Sequence, residues 1–594
     1  MSPSCPPVQR CLRAISSALM LFALLITSMS LAPVPLAHAA TIVRVKPGGT
    51  GNGSSWATAK DLAPALLSAR DGAELWVAAG SYAPTTTDVD PRMATFTMKS
   101  NVAIYGGFAG SETQRSERNW VTNVVILSGD LLGNDNSTVS ATEPTRRDNS
   151  YHVVTGATST ILDGVTISGG NANMSGNSSG GGMYNYGSTP TLTNVIFSRN
   201  IASANGGGMY SRNSRTSTNI LTLTNVAFSG NSAYNGGGMA NDFYSSPTLT
   251  NVTISSNSAS GSGGGMYNSY YSNPWLINVT ISGNSATDGG GMYNDSSSPT
   301  LTNVTISGNS VTYSNAVHGN GGGMCNYGNP TLYNVTISGN SATGSGGGTY
   351  NHDAITIQNS ILWGNTAPNG TEIFDANTAS TVIYSLGAWG YVGTGNLDTD
   401  PLFRAPIDAT SAPTTTGDYR LQAASPAINA GDNTANTTPT DLDGNLRIIE
   451  GTIDMGAYEY VPGIPHLQID YSTGQPGSFF VIIGTNFPAD TLLNVTVNGR
   501  SVSFSNLSTD SAGAIRFVII TVADQKLGNY KLTVGTQTTA QMQRTSSAVS
   551  SSTSIKLLSA GVLHPDPGLS GTPLQAIPID TVPLQDVYLP LIRR

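Results

Sequence analysis

One phrase recurs through the middle of this chain and limits what it can fold into. SPTLTNVTISGNS at 298–310 returns as near copies at 190–200, 246–258, 273–285 and 329–341. Aligned on the asparagine of the T-N-V step, the units place Asn194, Asn225, Asn251, Asn278, Asn303 and Asn334, with Asn359 closing the series, at spacings of 31, 26, 27, 25, 31 and 25 residues. A period near 25 with occasional longer loops defines a solenoid, in which each unit buries its apolar face only against its neighbours.

Within a unit, Leu301 falls on an odd position and Val304 and Ile306 on even ones. Strand alternation cannot send all three inward unless the chain turns a corner near Asn303. A third short strand is GGGMYN, with Met entering the core and the residue after it facing out. Three short strands per coil, rich in β-branched residues and bounded by Gly, Asn or Pro, predict an all-β, right-handed parallel β-helix, a pectin-lyase-like solenoid. In such a stack like residues lie on like, and the series Asn200, Asn231, Asn257, Asn284, Asn309, Asn340 and Asn365 is expected to form an amide ladder. The Gly triplets supply corners where φ is positive or a Cβ would collide. Leu301, Val304, Ile306 and Asn309 also fit the leucine-rich repeat pattern, but returns such as GNSATGSGGG suit no helix. The RTX calcium roll lacks its repeating Asp here. The N-x-T sequons at Asn251, Asn278, Asn303 and Asn334 read as by-products of the corner.

The composition fits an elongated body. Only 10% of the 594 residues are charged and 68 are Gly, which matches neither a charge-rich disordered chain nor an ordinary enzyme. Arg10 and Arg13 precede an apolar run from Ala14 to Leu31 and the small-x-small step Ala37-His38-Ala39, so residues 1–39 read as a secretory signal peptide. An uncleaved anchor is the alternative, the run being close to spanning length. Removal of 1–39 takes Cys5 and Cys11, leaving Cys325 alone, and shifts the net charge from -9 to -11 by the loss of two arginines. That balance, with no basic tract, argues against nucleic acid as a partner. The expected location is secreted or at the cell surface, with no transmembrane segment after signal cleavage.

The ends depart from the repeat. Residues 40–160 are irregular and read as the N-terminal capping part of the helix, with one short α-helix at 61–70 laid across the open end. Residues 161–370 are the repeat coils and 371–460 the C-terminal end. From 461 to 536 alternating strands such as GSFFVIIGTNFP and LLNVTVNGRSVSF predict a small Ig-like β-sandwich. Residues 537–594 are Ser, Thr and Pro-rich and read as a flexible tail, with a sorting tail as the alternative.

GSSWATA, ELWVAAGSY, AIYGGFAG and DNSYHVVTG, with the GGGMYN and NVTISGN coils, resemble secreted bacterial β-helix proteins related to the polymorphic outer membrane protein repeats. DTDPLF, DYRLQAASPAINAGD and DLDGNLRIIEGTIDMGAYEY resemble the choice-of-anchor Q region that ends many of them, and the module after VPGIP resembles IPT/TIG domains. The resemblance implies export and surface display, often with an adhesin-like label, and implies no shared catalytic residues.

β-Helices also carry polysaccharide lyases and glycoside hydrolases, which need clustered carboxylates. Between Ile161 and Gly370 the charged residues are Asp163, Arg199, Arg212, Arg215, Asp242, Asp288, Asp295 and Asp353, and they share no single coil position. Asp288, Asp295 and Asp353 with His352 form the weak catalytic alternative, beside the inserted loop at 313–320 that carries His318. DLDGN, with Asp441, Asp443 and Asn445, resembles half a calcium loop but fits a tight Asx-Gly turn better. No catalytic residue, metal ligand or cofactor is assigned. The candidate binding residues are the outward column Tyr184, Tyr210, Tyr267, Tyr293 and Tyr350, broken by Ala240 and Cys325. Aromatic faces at coil spacing suit sugar rings, so the candidate partner is an extracellular or cell-surface polysaccharide. The other reading is that these tyrosines stack on one another and shield the sheet. The column also predicts an exposed Cys325 thiol.

Overall fold

The computed structural model describes residues 41–213, 220–312, 318–388, 391–449, 451–461, 465–487, 491–502, 504, 507–510, 513–536, 550–559, 562–567 and 574–576. The signal peptide assigned to 1–39 lies outside them. The body is a right-handed parallel β-helix of about 12 turns. Its walls are a 20-stranded sheet holding the T-L-T and T-I-S strands, a 10-stranded sheet of the M-Y-N strands and a short 6-stranded sheet. Equivalent residues pair in register from coil to coil, Leu276 with Leu301 with Leu332 and Val279 with Val304 with Val335. All six side chains are fully buried, as are Met266, Met292 and Met324 on the facing wall.

The corner inferred from the broken alternation is present. Asn194, Asn225, Asn251, Asn278, Asn303, Asn334 and Asn359 adopt φ between 51° and 55°, the left-handed region that Asn tolerates better than most residues. The glycine triplets have a divided purpose. Gly263 takes φ 69°, while a Cβ on Gly264 or Gly265 would come within 2.4 Å or 2.7 Å of a carbonyl oxygen in the next coil.

Three asparagine ladders run along the stack, and each ends on a carboxylate. In the ladder from Asn200 to Asn365, Asn284 Oδ1 accepts from the main-chain N and Nδ2 of Asn257 at 2.9 and 3.0 Å. Its own Nδ2 donates to the Ile254 carbonyl and to Asn309 Oδ1, both at 2.9 Å. Asn365 then donates to Glu372. The corner ladder runs the other way, from Asn303 back to Asn194, which donates to Asp163 Oδ1 at 2.9 Å. The third links Asn241, Asn268, Asn294, Asn326 and Asn351 and ends on Asp375 Oδ1 at 2.9 Å. A row of amides that each donate one way needs an acceptor at its end, which a carboxyl oxygen supplies.

The first coils belong to the same large sheet, Ile42–Val45 pairing with Glu74–Ala78 and that strand with Ala103–Phe108. The helix Leu62–Ser68, with Asp61 at its N-cap, buries Leu62, Ala65 and Leu66 in the main core cluster.

Residues 403–460 pack against the flank of the last coils instead of extending the stack. Thr414 N donates to the Gly308 carbonyl at 2.9 Å, Ala457 N to Thr336 Oγ1 at 3.0 Å and Gly456 N to the Asn359 carbonyl at 2.8 Å. Thr305 and Thr336 are therefore buried, whereas Thr253 and Thr280, at the same position of earlier coils, stay partly open. This segment has little regular structure, and buried carboxylates hold its backbone. Asp441 accepts the amides of Asp443, Asn445 and Glu459, and Asp454 accepts that of Asn429. Fully buried Arg447 donates to the carbonyls of Asp454 and Gly456.

The sandwich consists of a 4-stranded and a 5-stranded sheet around Phe480, Ile482, Phe517, Ile519, Tyr530 and Leu532. It extends past residue 536 into the stretch assigned to the flexible tail. Ser550–Leu557 pairs antiparallel with Gly528–Thr536, with Ile555 and Leu557 in the core, and Leu574–Ala576 pairs with Ile515–Ile520. A Ser-rich strand buries only every second residue, so its composition resembles a spacer while its alternation fits a sheet.

Candidate functional site

The M-Y-N strands hold the predicted tyrosines in one column. Tyr184 pairs with Tyr210, Ala240 with Tyr267, Tyr267 with Tyr293, and Cys325 with Tyr293 and Tyr350. Because Met alternates into the core, these residues lie on the outer side of the wall. The rings overlap as shingles: Tyr184 and Tyr210 have centroids 5.7 Å apart at 22°, Tyr267 and Tyr293 5.6 Å apart at 18°. His152 adds a ring below Tyr184 at 4.9 Å, and Phe374 one beyond Tyr350 at 5.6 Å. Tyr327, from the next outward position of its strand, bridges Tyr293 and Tyr350 at 5.8 and 6.2 Å. Offset stacking uses part of each ring face and leaves the rest to solvent.

The stripe is half-buried. Tyr210 is 6% exposed and donates its hydroxyl to Asp242 Oδ2 at 2.8 Å, while Tyr184, Tyr267, Tyr293 and Tyr350 are partly open. Burial raises all five phenol pKa values, Tyr267 to about 12, so the stripe is a row of neutral hydroxyls at physiological pH. Cys325 corrects an expectation: it is 1% exposed and its thiol pKa is pushed well up by burial. Alternation assigns it to the outer side, but Tyr293, Tyr327 and Tyr350 roof a side chain that small.

The acidic residues do not come together. Asp288 accepts from the main-chain amides of Gly319 and Asn320 and pairs with His318 Nδ1 at 2.6 Å. Asp353 lies 3.3 Å from His352 Nδ1, and Asp295 accepts from Ser296 at 3.1 Å. Residues 313–317 of the inserted loop lie outside the described residues. Among the described residues no three His, Cys, Asp or Glu side chains are placed to hold a metal ion. In DLDGN the two carboxylates diverge, Asp441 inward to backbone amides and Asp443 outward to Arg420. That is a tight turn.

Two aromatic features escaped sequence reasoning. On the outer face of the first coils, Trp76 and Phe108 stack at 4.8 Å, and Arg115 and Arg118 lie over Tyr105 at 4.5 and 5.2 Å. An open cleft of about 430 Å³ beside them is lined by Gln114, Arg115, Ser116, Arg118 and Trp120. The second is a pair of aromatics at the corner after the M-Y-N strand in two successive coils, Phe243-Tyr244 and Tyr270-Tyr271. The first lacks a repeat to reveal it, and the second sits where the residue type varies from coil to coil, from Gly187 and Asn213 to Ser296 and Asp353.

These features define a parallel β-helix protein with an aromatic stripe along one wall. No protein-family model matches the sequence, and no curated protein is similar to it. Among solved structures, the chain is similar to pectate lyase Pel9A at 16% identity and a TM-score of 0.37, over 71% of this chain and 97% of that one. Among the described residues, no helix is long and apolar enough to cross a membrane.

Proposed function

We propose that the protein is a non-catalytic, secreted or surface-displayed β-helix repeat protein, adhesin-like or envelope-structural, that binds polysaccharide along its aromatic wall. The observation that supports this is the aromatic stripe, one run of rings from His152 through Tyr184 to Tyr210 and, past Ala240, a second from Tyr267 through Tyr293, Tyr327 and Tyr350 to Phe374, on coils with almost no charge. Overlapping rings with neutral hydroxyls offer CH–π contact and hydrogen bonds to a sugar chain without selecting for its charge. The signal-like start, the likeness to polymorphic outer membrane protein repeats and the choice-of-anchor Q-like segment support export and display. Separately engaged Asp288, Asp295 and Asp353 favour binding over bond cleavage. A panel of polysaccharides scored for both binding and chain cleavage tests the proposal. Binding without new chain ends is expected, and cleavage that disappears when these acidic residues are replaced would overturn it.

A further inference from the structure

At the corner that follows the M-Y-N strand, three coils place a glycine or serine. Gly187 and Ser296 take φ of 62° and 50° there, and Gly328 fills the same place in the next coil. Two successive coils place bulky rings there: Phe243 and Tyr244 at φ 45° and 61°, Tyr270 and Tyr271 at 49° and 61°. A large side chain in the left-handed region is disfavoured by the clash of its Cβ with the backbone, and such residues persist where the surrounding structure holds them. Here the neighbouring coils hold them, Tyr244 N donating to the Tyr270 carbonyl at 3.0 Å and Tyr271 N to that of Ser296 at 3.1 Å. Burial does not repay the strain, since Tyr270 is 53% and Tyr271 58% exposed.

The rings form two adjoining stacks with one open end. The Arg212 guanidinium lies 3.9 Å over Phe243, Phe243 and Tyr270 have centroids 4.5 Å apart at 12°, and Tyr244 and Tyr271 are 5.6 Å apart at 13°. The Phe243 stack is thus closed at one end by a cation. At the other end the column continues as Ser296 and Ser297, so Tyr270 and Tyr271 are the last rings of their stacks. Exposed Ser296 and the Asp295 carboxylate border the step they leave, and Trp275, 61% exposed, stands on the next side of the same coil.

We infer that Tyr270 and Tyr271 are the platform of a binding subsite for a neutral polysaccharide. One sugar ring lies on them where the next coil would have placed two more aromatic side chains, with its hydroxyls toward Ser296 and Asp295. A pyranose matches this step because its CH face is flat and apolar, and because coil spacing, about 4.8 Å, is on the scale of one sugar in an extended chain. Asp295 disfavours a uronate, and Arg212, turned to Phe243, supplies no charge at the open end. The platform rests on the polysaccharide-binding reading above but assigns the contact to the corner instead of the tyrosine column.

The test compares three full-length proteins: wild type, Y270G/Y271G, and the column variant Y267A/Y293A. Each is measured for binding to microcrystalline cellulose, chitin, xylan and a soluble β-1,3-glucan, with polygalacturonate as the anionic control, and for its melting temperature. The expected result is wild-type binding to a neutral polysaccharide that weakens at least tenfold in Y270G/Y271G, whose melting temperature falls no further than that of Y267A/Y293A because glycine relieves the corner while two ring stacks are lost. If Y270G/Y271G binds as wild type does, or melts below Y267A/Y293A, the platform is structural and the inference falls. Loss of binding only in Y267A/Y293A leaves the polysaccharide reading standing and refutes this subsite. If wild type binds none of the neutral polysaccharides, both fail.

Discussion

Asn365 donates both its main-chain and side-chain N–H groups to the carboxylate of Glu372, and the ladder that began at Asn200 ends there. Burial pushes the Glu372 pKa up to about 7 despite those bonds. Its folded value lies above the ordinary 4.5, so the native state holds a proton that the unfolded chain releases. Stability from this group is full below about pH 4.5 and declines as pH rises toward 7, by roughly 3 kcal/mol in all. Asp454 and Glu459, raised to about 6 and 8, act in the same sense, while His152, lowered by burial, opposes them. The clean readout is therefore a difference: E372Q should lose less stability than wild type between pH 5 and 8 in denaturant titrations. Parallel curves would show that Glu372 carries no such proton.

Replacing a rung inside the stack should be costly. Asn284→Ala strands the Ile254 carbonyl and the two N–H groups of Asn257 in the core, while Asn309 Oδ1 keeps the main-chain N–H of residue 284, and at ~1–3 kcal/mol for each buried unsatisfied group the loss should reach several kcal/mol. Asn251→Gly, at an exposed corner with φ 55°, should stay within about 1 kcal/mol because glycine accepts that φ. Chemical denaturation of both variants checks the contrast, and equal losses would contradict it.

The same threonine should behave differently in two coils. Thr336→Val removes the acceptor of the Ala457 amide under the 403–460 segment and should lower stability by about 1–3 kcal/mol. Thr253→Val, two coils from that cover and half-open, should fall within about 0.5 kcal/mol of wild type.

The roof over Cys325 predicts a silent thiol. Folded protein should take up no maleimide over hours and should label stoichiometrically once denatured, because the thiolate is both inaccessible and disfavoured. Stoichiometric labelling of the native protein would mean that Tyr293, Tyr327 and Tyr350 do not cover it.

Stacking in the column carries its own stability. Tyr267→Ala should cost about 0.5–1.5 kcal/mol beyond the area it exposes, through its overlap with Tyr293. Tyr267→Phe should retain most of it. An alanine variant as stable as wild type would leave those rings with no packing role.

Much of this architecture was legible because it is written in period. The break in alternation between Leu301 and Val304 located the corner, and the recurrence of Asn309 and its equivalents located the inner ladder. What period cannot express stayed hidden. Glu372, Asp375 and Asp163 end the ladders but occur once each. Thr336 and Thr253 both sit in the phrase NVTIS, which does not distinguish the covered coil from the open one. Alternation gave Cys325 its side and could not give its depth, which depends on three rings from other positions. Phe243-Tyr244 and Tyr270-Tyr271 were obscured because they stand at a corner where the residue type follows no period.

The ladders also bear on how such a chain can change its length. Every interior rung offers the coil before it the same donor and acceptor that it receives from the coil after it, so a coil can be duplicated or deleted without leaving a mismatched neighbour. Only the terminal acids are irreplaceable, and they lie outside the repeated phrase. Lineages that gain or lose whole units between Asp163 and Glu372 would thus make rods of different reach with the same two ends, by unequal recombination alone.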